Sequence, residues 1–209
     1  MKFPEKLHYK LFQRRKDNSY RELYRQENLI DFSSNDYLGF SRNVAIYEAV
    51  KSHLDKIPHL NGSTGSRLLS GNHDLHIEVE NELASFFSCP AALIFNSGYD
   101  ANVGLLSSIP QHGDTILFDE LCHASIRDGI RLSHAQHYSF KHNDINNLTK
   151  KYKISQRSEG NTYIVVESIY SMDGNGALLE GLVEFCKKYQ CYLIVDEAHA
   201  TGLFGDCGR

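Results

Sequence analysis

Short apolar runs alternate along this chain with stretches whose apolar residues recur every three or four positions. Three runs, at 115–119, 162–167 and 191–195, show little polar alternation, which is typical of parallel strands covered on both faces. A shorter run, AALIF at 91–95, predicts a further buried strand. Because helical stretches separate the runs, the order predicts a mainly parallel α/β sheet with helices on both faces.

Helical periodicity is clearest between residues 73 and 88, where Leu75, Val79, Leu83 and Phe86 fall on one stripe. Further helices are predicted at 99–109, 123–133 and 178–189. The amino-terminal segment is polar and charged, and the spacing of Leu7, Leu11 and Phe12 predicts a short amphipathic helix. We therefore divide the chain into an N-terminal helix and arm, 1–45, and the amino-terminal part of an α/β domain, 46–209.

Composition narrows the class of protein. A chain of 209 residues with 41% hydrophobic content can bury a core. A net charge of -4, without a long run of like charges, favours neither nucleic acid nor an anionic membrane as partner. No apolar stretch approaches the roughly 20 residues of a membrane span. Five cysteines without a C-x-x-C pair are typical of reduced thiols, so we expect a soluble, cytoplasmic protein.

Polar residues that could bind a ligand follow the apolar runs. In open α/β sheets, ligands bind at the carboxyl ends of the strands. The candidates there are Gly98 and Tyr99 after 91–95, His123 after 115–119, Ser171 after 162–167, and Asp196 and His199 after 191–195. The Ser-Gly turn before the helix at 99–109 favours an anion such as phosphate, although such turns also occur for structural reasons alone.

Several chemistries lack their sequence motif. A helicase would need a phosphate loop containing Gly-Lys, and that pair is absent from the sequence. A zinc site needs at least a third ligand beside Asp196 and His199, so we predict no metal. The G-x-S-x-G elbow of serine hydrolases and the G-x-G-x-x-G dinucleotide fingerprint are also absent. One ligand with a phosphate and a protonatable ring would connect the four strand ends, and pyridoxal 5'-phosphate (PLP) has that shape. Asp196 would then pair with its ring nitrogen.

The sequence resembles the α-oxoamine synthases, a family of fold-type I PLP-dependent enzymes. The blocks that carry the resemblance are DFSSNDYLGFS (31–41), NGSTGSRLLSGNHDLHIEVENELASFF (61–87), ALIFNSGYDAN (92–102), DELCHASIRDG (119–129), KHND (141–144), ESIYSMDGNGALL (167–179) and VDEAHATGLFGDCGR (195–209). They follow the family's order over nearly the whole chain. The resemblance implies the large, PLP-binding domain of that fold.

The resemblance also implies a role for each candidate residue. The backbone at Gly98 and Tyr99 would bind the phosphate, and His123 would stack on the cofactor ring and contact substrate. Ser171 and His199 would hydrogen-bond the cofactor, with His199 near the ring hydroxyl and Asp196 at the ring nitrogen. Asn35 would bind the amino acid carboxylate, and Arg21 would contact the acyl substrate. Four arginines compete for that last role, namely Arg14, Arg15, Arg21 and Arg25.

Members of this family condense an amino acid with an acyl thioester and release carbon dioxide. The wording FSSNDYLG and the compact N-terminal arm favour a member that uses L-alanine over glycine-using or serine-using members. Coenzyme A and acyl carrier protein both stay open as the carrier. The resemblance places GSTGSR (62–67) near a subunit interface and so implies a homodimer. A non-catalytic partner subunit of the same fold is the alternative from another class.

The sequence departs from the family pattern at its carboxyl end. The family's Schiff-base lysine lies beyond the D-E-A-H block, and no lysine of this chain has that context. We also expect the family's C-terminal small domain to be absent from these residues. We therefore expect the 209 residues to be the amino-terminal part of a longer enzyme, inactive on their own because the lysine supplies nucleophile and base.

Overall fold

The computed structural model describes residues 3–23, 29–57, 62–155 and 160–208. The helices are α1 Glu5–Lys16, α2 Val44–Leu54, α3 Asp74–Phe86, α4 Gly98–Ser108, α5 Ala124–Leu132, α6 Ile145–Ser155 and α7 Leu179–Tyr189. The strands are β1 Thr115–Asp119, β2 Gln136–Phe140, β3 Thr162–Glu167 and β4 Tyr192–Asp196. Short 3₁₀ turns cover Phe40–Arg42 and Asp206–Gly208. Within these residues, no helix combines the length and apolar character needed to cross a bilayer.

The strands form one parallel sheet in the order β2-β1-β3-β4. Alternate residues of a strand point to opposite faces, and both faces are buried. Leu117, Ile164 and Val166 pack with α6 and α7, whereas Ile116 and Val165 pack with α4 and α5. The prediction of a parallel α/β sheet with helices on both faces is confirmed.

Most predicted elements are confirmed. β1 and β3 occupy the predicted ranges, and β4 begins one residue later than predicted. The four helices predicted between residues 73 and 189 and the amphipathic helix near the amino terminus are all present. α2, α6 and β2 are not among the predicted elements. β2, QHYSF, is an edge strand with alternating exposure, so it lacks the continuous apolar run used to find the others.

The strand predicted at 91–95 is wrong. These residues have no strand pairing in the part of the chain that the structure describes. Leu93 is 65% exposed, and the backbone N–H of Ile94 donates to the carboxylate of Glu80 at 2.9 Å. An apolar run is extended but not a strand when no neighbouring strand accepts its backbone hydrogen bonds.

The described residues fall into two compact units, 1–38 and 39–209. The first contains α1, which has no buried residue. The second contains the sheet, α2 to α7 and both clusters of buried apolar side chains. The organisation proposed from the sequence, 1–45 and 46–209, stays a prediction.

Candidate active site at the carboxyl ends of the strands

Asp196 is the last residue of β4 and stands beside Glu167, the last residue of β3, in the parallel register. Ile194 packs on the layer formed by α4 and α5. Because side chains alternate along a strand, Asp196 points to that same layer. The backbone N–H of Ser168 donates to the Asp196 carbonyl at 2.8 Å and fixes the strand end.

Two donors hold the Asp196 carboxylate. Asn102 Nδ2, from α4, donates to Oδ2 at 2.7 Å, and the backbone N–H of Ala198 donates to Oδ1 at 2.9 Å. The side chain is half-buried. A carboxylate has about four lone-pair positions, so these two bonds orient Asp196 and leave acceptor capacity for a further donor.

His123 caps the amino terminus of α5 from the end of β1. Its backbone N–H donates to Oε1 of Glu167 at 2.5 Å. Its Nδ1 lies 2.8 Å from Ser125 Oγ and accepts from the Ser125 backbone N–H at 3.2 Å. Ser125 Oγ in turn accepts from Asn102 Nδ2 at 3.0 Å. A continuous hydrogen-bonded chain therefore joins His123 to Asp196.

Glu167, which accepts the His123 backbone N–H at one end of these hydrogen bonds, is 3% exposed. Burial raises the pKa of its carboxyl, and the nearby negative charge of Asp196 raises it further. The hydrogen bond from the His123 backbone acts in the opposite direction. The site thus contains two neighbouring carboxyl groups in different environments, one buried and one partly open to ligand.

The amino terminus of α4 presents backbone donors to a ligand. Ser97 caps the helix, because its hydroxyl accepts from the Asp100 N–H at 3.0 Å. Among the described residues, none accepts a hydrogen bond from the backbone N–H of Gly98 or Tyr99. A Cβ added at Gly98 would meet no atom within 4 Å. Free amides at a helix amino terminus, with open space before them, suit a phosphate.

A cavity of about 510 Å³ lies between the start of α5 and the turn after β3. His123 and Ser171 both line it, together with Tyr170 and two arginines, Arg127 and Arg131. Both arginines already have acceptors, since Arg127 donates to the Glu120 carbonyl and Arg131 to Asp128. The structure therefore places His123 and Ser171 on one cavity, and their roles toward a cofactor stay predictions.

The other predicted site residues are not among those that line this cavity. His199 lies in the turn that follows β4, three residues after Asp196, and is half-buried. Arg21 and Asn35 are exposed and belong to the unit 1–38, so their roles stay predictions. Arg25 lies outside the described residues. In the described ranges, no group of three or more His, Cys, Asp or Glu side chains could hold a metal ion.

Sequence reasoning missed Asn102, Ser125 and Glu167. A usable signal existed for Asn102, which lies one helical turn before the buried Leu106 and so occupies the inward stripe of α4. Ser125 similarly shares the buried stripe of α5 with Ile126 and two later residues. A polar residue on an apolar stripe needs a hydrogen-bond partner. Asn102 finds its partners in Asp196 and Ser125, and Ser125 also contacts His123.

The chain is similar to known proteins over most of its length. The sequence profile of the family described as aminotransferase class I and II matches residues 27–209. The chain belongs to this family. It is 43% identical over 183 residues to 8-amino-7-oxononanoate synthase 2 of Bacillus subtilis, covering 88% of this chain and 46% of that protein. It is 42% identical over 177 residues to 8-amino-7-oxononanoate synthase of Lysinibacillus sphaericus, covering 85% and 45%.

Solved structures give the same fold. Serine palmitoyltransferase of Sphingomonas wittichii matches with a TM-score of 0.77 and 36% identity over 84% of this chain and 43% of that chain. The 8-amino-7-oxononanoate synthase of Francisella tularensis matches with a TM-score of 0.70 and 32% identity over 87% and 48%. The resemblance to the α-oxoamine synthases and to the large domain of fold-type I PLP enzymes is confirmed. The chain spans about half the length of the curated relatives it matches.

Proposed function

We propose that the protein to which this chain belongs condenses L-alanine with a pimeloyl thioester, using PLP, and releases carbon dioxide to give 8-amino-7-oxononanoate, a step of biotin biosynthesis. Its relatives of 42–43% identity carry that name. The observation that carries the proposal is the Asp196 carboxylate, oriented by Asn102 and Ala198 and still able to accept a further hydrogen bond.

The residues present fit PLP. Asn102, which holds Asp196, lies four residues after Gly98 on α4, about 6 Å along the helix axis. An anion binding at the amino terminus of α4 would therefore lie one helical turn from the aspartate that accepts from a ring nitrogen. A flat ring that carries a phosphate on one side and a protonated nitrogen on the other matches both ends.

Bound there, PLP would supply an electron-accepting ring that stabilises negative charge on the amino acid Cα. Asp196 would keep the ring nitrogen protonated, since a nearby carboxylate favours the cation. His123 would cover one ring face, and Ser171 and His199 would donate hydrogen bonds to the cofactor. Each of these side chains lies at or just after a strand end.

Substrate binding and assembly complete the proposal. Asn35 would bind the alanine carboxylate, and Arg21 would contact the acyl thioester, carried by coenzyme A or acyl carrier protein. We propose a homodimer that acts in the cytoplasm. The family resemblance supports the dimer through the block GSTGSR, and the two residues immediately after it, Leu68 and Leu69, are 94% and 88% exposed.

A serine-using member of the family is the second candidate. The support is structural, because serine palmitoyltransferase of Sphingomonas wittichii shares 36% identity with this chain, slightly more than the 32% of the Francisella tularensis synthase. Carbon dioxide release from carboxyl-labelled alanine, glycine and serine, each with pimeloyl and palmitoyl thioesters, separates the candidates. We expect turnover with alanine and the pimeloyl thioester; a strict preference for serine or glycine contradicts the assignment.

The intact mass of the protein from its native source, after borohydride reduction with PLP, tests whether it carries a catalytic lysine. We expect a mass well above 23.8 kDa with one pyridoxyl group attached. A 23.8 kDa species without the adduct would contradict the synthase and support a non-catalytic partner subunit.

A further inference from the structure

We propose that Asn102 and Ser125 are positioning residues that fix His123 as the neutral tautomer with its proton on Nε2. The inference rests on the proposed function only for the role that His123 has beside PLP. The hydrogen bonds that set the tautomer require no cofactor. Three steps lead from the Asp196 carboxylate to the imidazole, and each follows from which atoms can donate.

The first step sets the orientation of the Asn102 amide. Its side chain lies 2.7 Å from Asp196 Oδ2, and a carboxylate can only accept. Turning the amide over would place the Asn102 carbonyl oxygen against that carboxylate. Asp196 therefore selects the orientation in which Nδ2 faces it, and the second N–H of the same nitrogen points to Ser125 Oγ at 3.0 Å.

The second step sets the role of His123 Nδ1. The backbone N–H of Ser125 points at this nitrogen at 3.2 Å, and a backbone amide cannot act as an acceptor through its N–H. Nδ1 must therefore present a lone pair. A proton on Nδ1 would lose this bond and oppose the amide N–H directly.

The third step places the hydroxyl proton. Ser125 is 1% exposed, so its hydroxyl needs an acceptor inside the protein. Oγ already accepts from Asn102 and lies 2.8 Å from Nδ1 of His123. The hydroxyl donates to Nδ1, whose single lone pair it shares with the more distant Ser125 backbone N–H, and the remaining proton of a neutral His123 lies on Nε2. His123 thus offers an N–H donor, rather than a basic nitrogen, on the side away from Ser125.

Close packing of α4 on α5 makes this chain of bonds possible. Gly129 lies on α5, and a Cβ there would stand 2.8 Å from the Asn102 carbonyl oxygen and 3.0 Å from Leu106 Cβ. Any side chain at this position would push the helices apart. The glycine therefore permits the approach that brings the Asn102 amide to Ser125.

The test is a long-range ¹H–¹⁵N correlation spectrum of the histidine-labelled chain at about pH 8.5, above the ordinary titration range of imidazole. The two ring nitrogens give separate signals for each tautomer, and loss of one set in His123→Asn assigns the residue. We expect wild-type His123 to be almost wholly the Nε2–H form. Ser125→Ala and Asn102→Leu should each raise the Nδ1–H to Nε2–H ratio by about three- to tenfold, the worth of one hydrogen bond.

Ser107→Ala is the matched control, because it removes a hydroxyl from α4 that, among the residues the structure describes, bonds only within its own helix. It should leave the His123 spectrum unchanged. An Nδ1–H form in the wild type, or unchanged ratios in both variants, overturns the proposal. The wild-type spectrum alone decides the tautomer if a variant fails to fold. Because the readout needs neither PLP nor turnover, its failure is distinguishable from failure of the proposed function.

Discussion

Asp119 and Asp196 both end strands of the same parallel sheet, yet their surroundings differ. Asp119 ends β1, is 1% exposed, and points to the face opposite Asp196. Its carboxylate accepts from His142 Nδ1 at 3.0 Å and from the backbone N–H groups of Leu121 and Asn143 at 2.9 and 3.1 Å. Every direction around it is occupied by protein.

Asp196 is half-buried and, within the described ranges, has two protein donors, both of which fix its orientation. The difference shows that the position of a carboxylate at a strand end does not by itself identify a functional site. Asp119 holds the loop after β2 in place, whereas Asp196 is held in place and keeps acceptor capacity. Counting donors around each carboxylate separates the structural group from the candidate functional group.

The largest expected effect comes from removing the buried carboxylate of Asp119. Asp119→Ala leaves two backbone N–H groups and an imidazole without their acceptor in a buried setting, so the free energy of unfolding should fall by about 3 kcal/mol or more. Asp196→Ala should cost less than about 1 kcal/mol, because water can replace its bonds. Urea unfolding followed by circular dichroism compares the two, and equal losses would show that the distinction is wrong.

A third carboxylate, Glu80, extends the comparison to an ion pair nearer the surface. The hydrogen bonds from Arg67 and then from the Ile94 N–H lower the pKa of Glu80 to about 2. A lowered pKa stabilises the fold above the ordinary value of 4.5, and this contribution is lost as pH falls from 4.5 towards 2. Glu80→Gln should flatten the stability profile in that window, and added salt should reduce the difference.

The smallest effect is expected at Glu167, where the pKa is shifted in the direction opposite to that of Glu80. Burial raises the pKa of this carboxyl, so its contribution is fully present below the ordinary value of 4.5 and is lost as pH rises through the folded-state pKa. Glu167→Gln keeps an oxygen for the His123 N–H. Stability measured from about pH 4 to 7 should therefore decline less in the variant than in the wild type. A steeper decline in the variant would contradict the assigned cause.

Sequence reasoning found the parts of the fold that a pattern encodes. The runs that form β1 and β3 are buried on both faces, and this burial is evident in the sequence because the runs are almost continuously apolar. β2 was missed because an edge strand can be polar, and 91–95 was wrongly predicted as a strand because an apolar run does not reveal whether a neighbouring strand exists. Pairing partners are a property of the fold, not of the segment.

The candidate site divides in the same way. Asp196 could be found because it directly follows an apolar run, and His123 because it lies four residues after the end of another. Asn102 and Ser125 could not, since their significance arises only when α4 packs on α5 over Gly129. The sequence predicts Glu167 only as the end of the strand at 162–167, and its position beside Asp196 depends on the register of β3 and β4.

PLP affinity of the wild type, Asp196→Asn and Asp55→Asn tests the central claim most directly. The first variant removes the charge held by Asn102, and the second makes the same change at an exposed position after α2. Absorbance titration of the protein with PLP should show binding at least about tenfold weaker for Asp196→Asn, the worth of one hydrogen bond to a charged group. Asp55→Asn should bind as the wild type does. Equal affinity in all three proteins would contradict the placement of PLP at Asp196.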